Sequence, residues 1–441
     1  MLQQLINIST NLTDTIMLGS FGETQLSASS LANQYYFIFY IFCMGLGGGT
    51  AVMTAQYWGE NDTESIKKTT TLMLRICFLV ATGFMILTIL FPREIMSIYT
   101  KDNTVISSGV EYFRYLSLVF IFHGLALTMT IVLRSVGTVK MPLFASIFSF
   151  GLNVFLNWVF IFGKLGMPRM EIGGAAIGTL LARISEFAII FTYLFFFDKK
   201  INYKFKDLIK EQAVNFSEFF TVAMPVIVSD LILVFGNNAL AMIMARMGKE
   251  MVAANAITTV IVQLSTVFIR GISGASGVII GNTVGRKEID KAQQQGQEVL
   301  IMSIIIGIIA SVVIKIINPF LIKFYNIMPE TKDITESLLD TISYMIIFQS
   351  ISSVMTKGVL RGGGDTKFLM VADVFFLWAA SVPLGYCAGL VWKWQPAAVY
   401  FCLKIDLIIK SIWCIYRLKS KNWIRIVKRL DVDDTNLNYN V

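Results

Sequence analysis

Runs such as Ile76 to Phe91, Ile301 to Ile317 and Phe375 to Val391 are apolar around the whole circumference of a helix, not along one face. About 20 residues of this kind cross a bilayer. A water-soluble fold has nowhere to put so many of them in a chain that is 55% hydrophobic and 15% charged, where soluble domains carry roughly 25% charge. The net charge of +8 does not point to nucleic acid. Its Lys and Arg residues sit in short clusters between apolar runs, with neither a basic groove nor an aromatic stacking motif, and they read as topology signals.

Gly, Pro and charge divide the chain into twelve membrane segments: 1–20, 29–57, 70–91, 110–133, 141–163 and 172–197, then 216–245, 254–283, 296–318, 337–360, 368–391 and 396–416. The expected fold is an all-α integral membrane protein, its twelve transmembrane helices forming two pseudo-symmetric six-helix bundles. Residues 1–197 make the N-terminal lobe, 198–215 a cytoplasmic linker, 216–417 the C-terminal lobe and 418–441 a cytoplasmic tail. The first segment is crowded with polar residues (Asn7, Ser9, Thr10, Asn11, Thr13, Asp14) and reads as the second half of a helix whose start is missing. With both termini in the cytoplasm, the linker (Lys199, Lys200, Lys204, Lys206, Lys210) and the tail from Arg417 to Arg429 place the excess of Lys and Arg inside, as the positive-inside rule requires.

Sliding the chain against itself exposes a repeat. Gly22, Gly45, Gly48 and Gly59 recur 226 positions later as Gly248, Gly271, Gly274 and Gly285. After one inserted residue, LRSVG from Leu133 meets LRGGG from Leu360, so Arg134 corresponds to Arg361 and Gly137 to Gly364. An even number of spans separates the copies, so the repeats run parallel, related by an axis along the membrane normal.

Five strings resemble the multidrug and toxin extrusion (MATE) family: TDTIMLGSFG from Thr13, LRSVGTVKMP from Leu133, NVFLNWVFIFG from Asn153, GGAAIGT from Gly173 and LRGGGDTK from Leu360. The resemblance implies two six-helix lobes and export of mostly cationic amphiphilic compounds driven by inward H⁺ or Na⁺. It also implies a coupling-ion site. Asp14 stands where the first helix carries a carboxylate, Asn153 matches a polar partner in the fifth helix, and Asn157 replaces a second aspartate of the DinF-like branch. Thr179 matches the polar position of the sixth helix. A site with one carboxylate suits H⁺ somewhat better than Na⁺, which favours several oxygens and full compensation of its charge.

An ionisable carboxyl some ten residues into a membrane helix is costly and faces a cavity or a partner; the alternative for Asp14 is a place near the outer interface. By the same reasoning Asp373 and Lys410, at similar depths from the cytoplasmic side, are expected to pair, with Asp406 the other candidate partner of Lys410. Asp230 and Arg270, each in mid-segment of consecutive antiparallel helices, are expected to meet or share a water-filled cavity. Arg183 and Glu186, at i and i+3, neutralise each other locally. His123, the single histidine, is read as a satisfied core residue ahead of a proton relay. Arg134 with Lys140 and Arg361 with Lys367 serve equally well as topology anchors or as gating charges.

The glycine strings at Met44–Thr50 and Gly271–Gly277 lack a GKS or GKT ending and a preceding strand, so they suit helix packing and not nucleotide binding. The five cysteines lie in or beside hydrophobic segments without CxxC spacing and are expected as free thiols. One histidine and no clustered carboxylates speak against a membrane metalloenzyme. The functional expectation is thus a non-enzymatic secondary antiporter of the cell (inner) membrane, exporting small organic, often cationic compounds by alternating access. It is expected to be monomeric, with no cofactor, no nucleic-acid partner and H⁺ or Na⁺ as the coupling ion. The alternative is a flippase for lipid-linked precursors of the same superfamily.

Overall fold

The structure, a computed structural model, describes residues 2–20, 22–209, 216–321 and 328–427. Part of the expected linker (210–215) and the tail from 428 lie outside the described residues. The helices run α1 (Leu2–Gly19), α2 (Glu23–Gly59), α3 (Thr63–Leu90), α4 (Pro92–Tyr99), α5 (Asn103–Ser135), α6 (Lys140–Phe162), α7 (Glu171–Thr192) and α8 (Phe205–Ile209). They continue as α9 (Phe216–Met247), α10 (Lys249–Ser265), α11 (Val267–Gly285), α12 (Ile289–Leu321), α13 (Pro329–Val354), α14 (Thr366–Phe376), α15 (Val382–Tyr386), α16 (Pro396–Leu403) and α17 (Ile405–Lys419). Among the described residues, ten helices are long and apolar enough to cross a bilayer. The two further spans of the twelve are α1, which is too polar to qualify by composition, and the α16–α17 segment, which is broken at Lys404.

Among the described residues two compact units form, one from residues 2–54 and 62–220, the other from 55–61 and 221–427. The first packs around Phe113, Leu116, Val119, Ala176 and Ile161; the second has one cluster around Leu338, Ile342, Ile346 and Leu403 and another around Val359, Leu360 and Trp423. Large apolar side chains also cover the outside, as with Leu79 at 70%, Ile316 at 61% and Phe235 at 60% exposure. That surface is tolerable only against lipid.

The repeat reappears in backbone detail. Gly137 closes α5 in the left-handed region (φ +75°), with Gly137 N–H donating to Arg134 O and Thr138 N–H to Leu133 O. Gly364 (φ +90°) closes the segment after α13 with the same two bonds, to Arg361 O and Leu360 O. Asn61 and Lys287, also 226 apart, are both left-handed and make the same tight turn, donating to Trp58 O and Val284 O.

Gly59 and Gly285 have a packing reason as well. The last turn of α2, which belongs to the second unit, crosses the end of α11 so closely that a methyl group on Gly59 would strike the Asn282 carbonyl, and one on Gly285 would strike the Gln56 carbonyl. Residues 56 and 282 are themselves repeat equivalents, so the contact is reciprocal. Without a hydrophobic force between helices in lipid, this backbone approach is the attraction available. Gly59→Ala and Gly285→Ala should each destabilise the protein by about 1–3 kcal/mol through overpacking. Gly83→Ala and Gly274→Ala, where an added methyl meets open space, should leave the thermal midpoint in detergent nearly unchanged.

Candidate functional site

The first unit encloses a polar cavity of ≈ 50 Å³, room for a few waters or one small ion and not for a drug-sized molecule. Helix periodicity builds it. α1 contributes Thr10 and Asp14 one turn apart, α6 contributes Ser146, Ser149 and Asn153 along one face, and α7 contributes Thr179, Arg183 and Glu186 at i, i+4 and i+7. The remaining wall comes from α2 and α5, including Asn33, Tyr36 and Tyr112.

Of the four coupling-site candidates, three form a chain with Asp14 at its end. Asn157 Nδ2 donates to Asp14 Oδ1 at 2.5 Å and lies 3.4 Å from Asn153 Oδ1; Asn153 Nδ2 reaches Thr179 Oγ1 at 3.5 Å, the outer limit of a hydrogen bond. Asn153 and Asn157 are fully buried. Gly178 makes the approach possible, because a side chain there would occupy the place of the Asn157 amide.

The sequence read Arg183 and Glu186 as a local pair, and they do pair, Arg183 Nη1 to Glu186 Oε2 at 2.7 Å. Their place in the cavity wall was missed. Ser146 Oγ donates to the second Glu186 oxygen at 3.2 Å and itself receives a bond from Gln3 Nε2 at 2.7 Å. His123 is buried and hydrogen-bonded to Tyr36 of the cavity wall. The available signal was the polar stripe on α6 and α7, residues 146, 149, 153 and 157 facing 179, 183 and 186 on otherwise apolar helices.

The second unit holds two charge clusters. Lys410 contacts Asp373 at 3.5 Å and Asp406 at 3.0 Å, so both candidate partners share one ammonium group. Ser229 Oγ donates to Asp373 at 3.3 Å and Ser381 Oγ to Asp406 at 2.8 Å. Ser381 ends a π-helical turn over residues 377–381, and Asp406 opens α17 just after the break at Lys404. Two local irregularities thus bring the groups together.

The expected meeting of Asp230 with Arg270 is not what the structure shows. Asp230 pairs instead with Arg361, Nη2 to Oδ1 at 3.3 Å, and Arg270 is exposed. The segment expected as one helix is interrupted at Thr266 into α10 and α11. Arg270, in the first turn of α11, lies on an exposed face, and equal depth does not by itself put two side chains on a shared face. Arg361→Ala should cost about 3 kcal/mol by leaving Asp230 bare, and Arg270→Ala should stay within about 0.5 kcal/mol, both read from denaturation midpoints in detergent.

The family model MatE matches residues 1–159 and 225–387. A relative from Thermotoga maritima, described as a probable multidrug resistance protein NorM, is 24% identical over 427 residues, covering 96% of this chain and 90% of its own. An uncharacterized transporter YisQ from Bacillus subtilis is 21% identical, covering 93% and 90%. Among solved structures, a multidrug resistance MATE family transporter of the MOP superfamily in an outward-facing conformation superposes with TM-score 0.86 at 18% identity, covering 96% of this chain and 94% of its own. A MOP superfamily transporter from Pyrococcus furiosus, described as having a binding pocket of reverse polarity, gives 0.85 at 18% identity over 95% and 94%. These likenesses establish the twelve-helix fold.

Proposed function

We propose that this chain, which belongs to the MatE family, is a secondary antiporter that expels small organic, often cationic compounds in exchange for an inward coupling ion, with Asp14 as the ion-binding group. The observation that carries this reading is a carboxyl group held by Asn157 inside a small polar cavity of an apolar helix bundle. A cavity of this size suits a proton or one small cation, while the exported compound binds elsewhere. Relatives described as multidrug resistance proteins support the substrate class. The protein works as a multi-pass membrane protein, in our reading a monomer of the cell membrane with both termini in the cytoplasm.

A flippase of lipid-linked precursors, the other activity considered, would leave dye and drug susceptibility untouched. Expression in a pump-deficient bacterial host, with a panel of cationic dyes and drugs, separates the two. Wild type should raise resistance, and Asp14→Asn should return susceptibility to the empty-vector level while the protein still accumulates in the membrane. Gradient-driven dye efflux by Asp14→Asn would contradict the assignment.

A further inference from the structure

The cavity holds more charge than Asp14. Glu186 contributes a second carboxylate and Arg183 a guanidinium, and the pair is internally saturated: one Glu186 oxygen takes Arg183 at 2.7 Å and the other takes the Ser146 hydroxyl at 3.2 Å. Glu186 is buried and the Arg183 side chain retains 18% exposure, so neither is neutralised by bulk water. Around them, α1 presents Asp14, α2 presents Tyr36 with His123 of α5 bonded behind it, and α5 presents Tyr112; α6 presents only neutral Ser and Asn groups. With the three residues ionised, the cavity therefore carries one net negative charge, that of Asp14, beside a cation already in residence.

We infer that Arg183 is the residue that selects the coupling ion: a built-in cation that excludes Na⁺ from the cavity and leaves Asp14 to be neutralised by H⁺. This rests on the reading of Asp14 as the coupling group. A sodium ion beside Asp14 would sit in a cavity of ≈ 50 Å³ whose wall includes the guanidinium, and like charges confined to so small a space oppose one another strongly where water is scarce. It would also need several oxygens, and with both Glu186 oxygens engaged those beyond Asp14 are neutral ones, such as Asn153 and Thr179, which do not offset the guanidinium. A proton brings neither requirement. It adds to one carboxylate oxygen, removes the charge and needs no coordination shell.

The test uses the full-length protein, purified in detergent for ion binding and reconstituted for transport. Sodium binding is read as the rise in thermal midpoint with NaCl relative to choline chloride, since a ligand that binds only the folded state stabilises it by mass action. Wild type and Arg183→Lys should show no sodium-specific rise. Arg183→Gln, with two uncompensated carboxylates, should bind Na⁺ at least about tenfold more tightly than wild type, and Arg183→Gln with Asp14→Asn should lose that gain. If Arg183→Gln does not fold, Arg183→Gln/Glu186→Gln removes both partners of the pair without baring a charge, and its Na⁺ affinity should rise above wild type as well. Sodium-specific stabilisation of wild type that disappears in Asp14→Asn would overturn the inference, as would a folded Arg183→Gln no more responsive to Na⁺ than wild type. In proteoliposomes, dye transport by wild type should follow a pH gradient and ignore a sodium gradient. Sodium-driven transport that still requires Asp14 refutes the role of Arg183 alone, whereas coupled transport without Asp14 refutes the underlying reading.

Discussion

A carboxyl group placed inside a bundle that faces lipid must be compensated, and the manner of compensation differs among Asp14, Asp230 and Asp373. Asp230 has a guanidinium, Arg361, and Asp373 shares the Lys410 ammonium with Asp406. Each is in direct contact with a cationic side chain. Asp14 is held by the neutral amide of Asn157, in a cavity that also contains the Arg183–Glu186 pair. α1, α6 and α7 are arranged around it, and Gly178 is small because the Asn157 side chain needs the room.

The two units solve the same backbone problem and different chemical ones. Their equivalent turns at Gly137 and Gly364, and at Asn61 and Lys287, share hydrogen bonds down to the residue register. The buried carboxylates do not repeat. The first unit keeps an amide-held carboxylate and a closed Arg–Glu pair in one cavity, while the second locks its carboxylates to Arg and Lys beside a π-helical turn and a helix break. The fold is thus duplicated scaffolding, and the specialisation lies in a handful of side chains.

Much of this was legible in the sequence because it follows from length and spacing. Apolar runs located the helices, and the glycine offset located the repeat; the reciprocal approach of Gly59 and Gly285 explains why those glycines recur. The contact between Asp373 and Lys410 could be anticipated because both lie at a measured distance from a helix end. Facing was harder to read than depth. Asp230 and Arg270 matched in depth, but Arg270 lies on an exposed face of α11 while Asp230 meets Arg361, and hydropathy does not register facing. Arg183 and Glu186 were read as a self-contained i, i+3 pair, which hid their alignment with Thr179 on the cavity face of α7. The tail residue Trp423, buried against Gln293, also lay outside any periodic pattern.

The account turns on whether binding of the exported compound displaces a proton from Asp14. Weakly buffered, detergent-purified protein mixed with a cationic dye should release about one proton per bound dye molecule, followed with a pH indicator, and Asp14→Asn should bind the dye without releasing any. Equal proton release by the wild type and Asp14→Asn would contradict it.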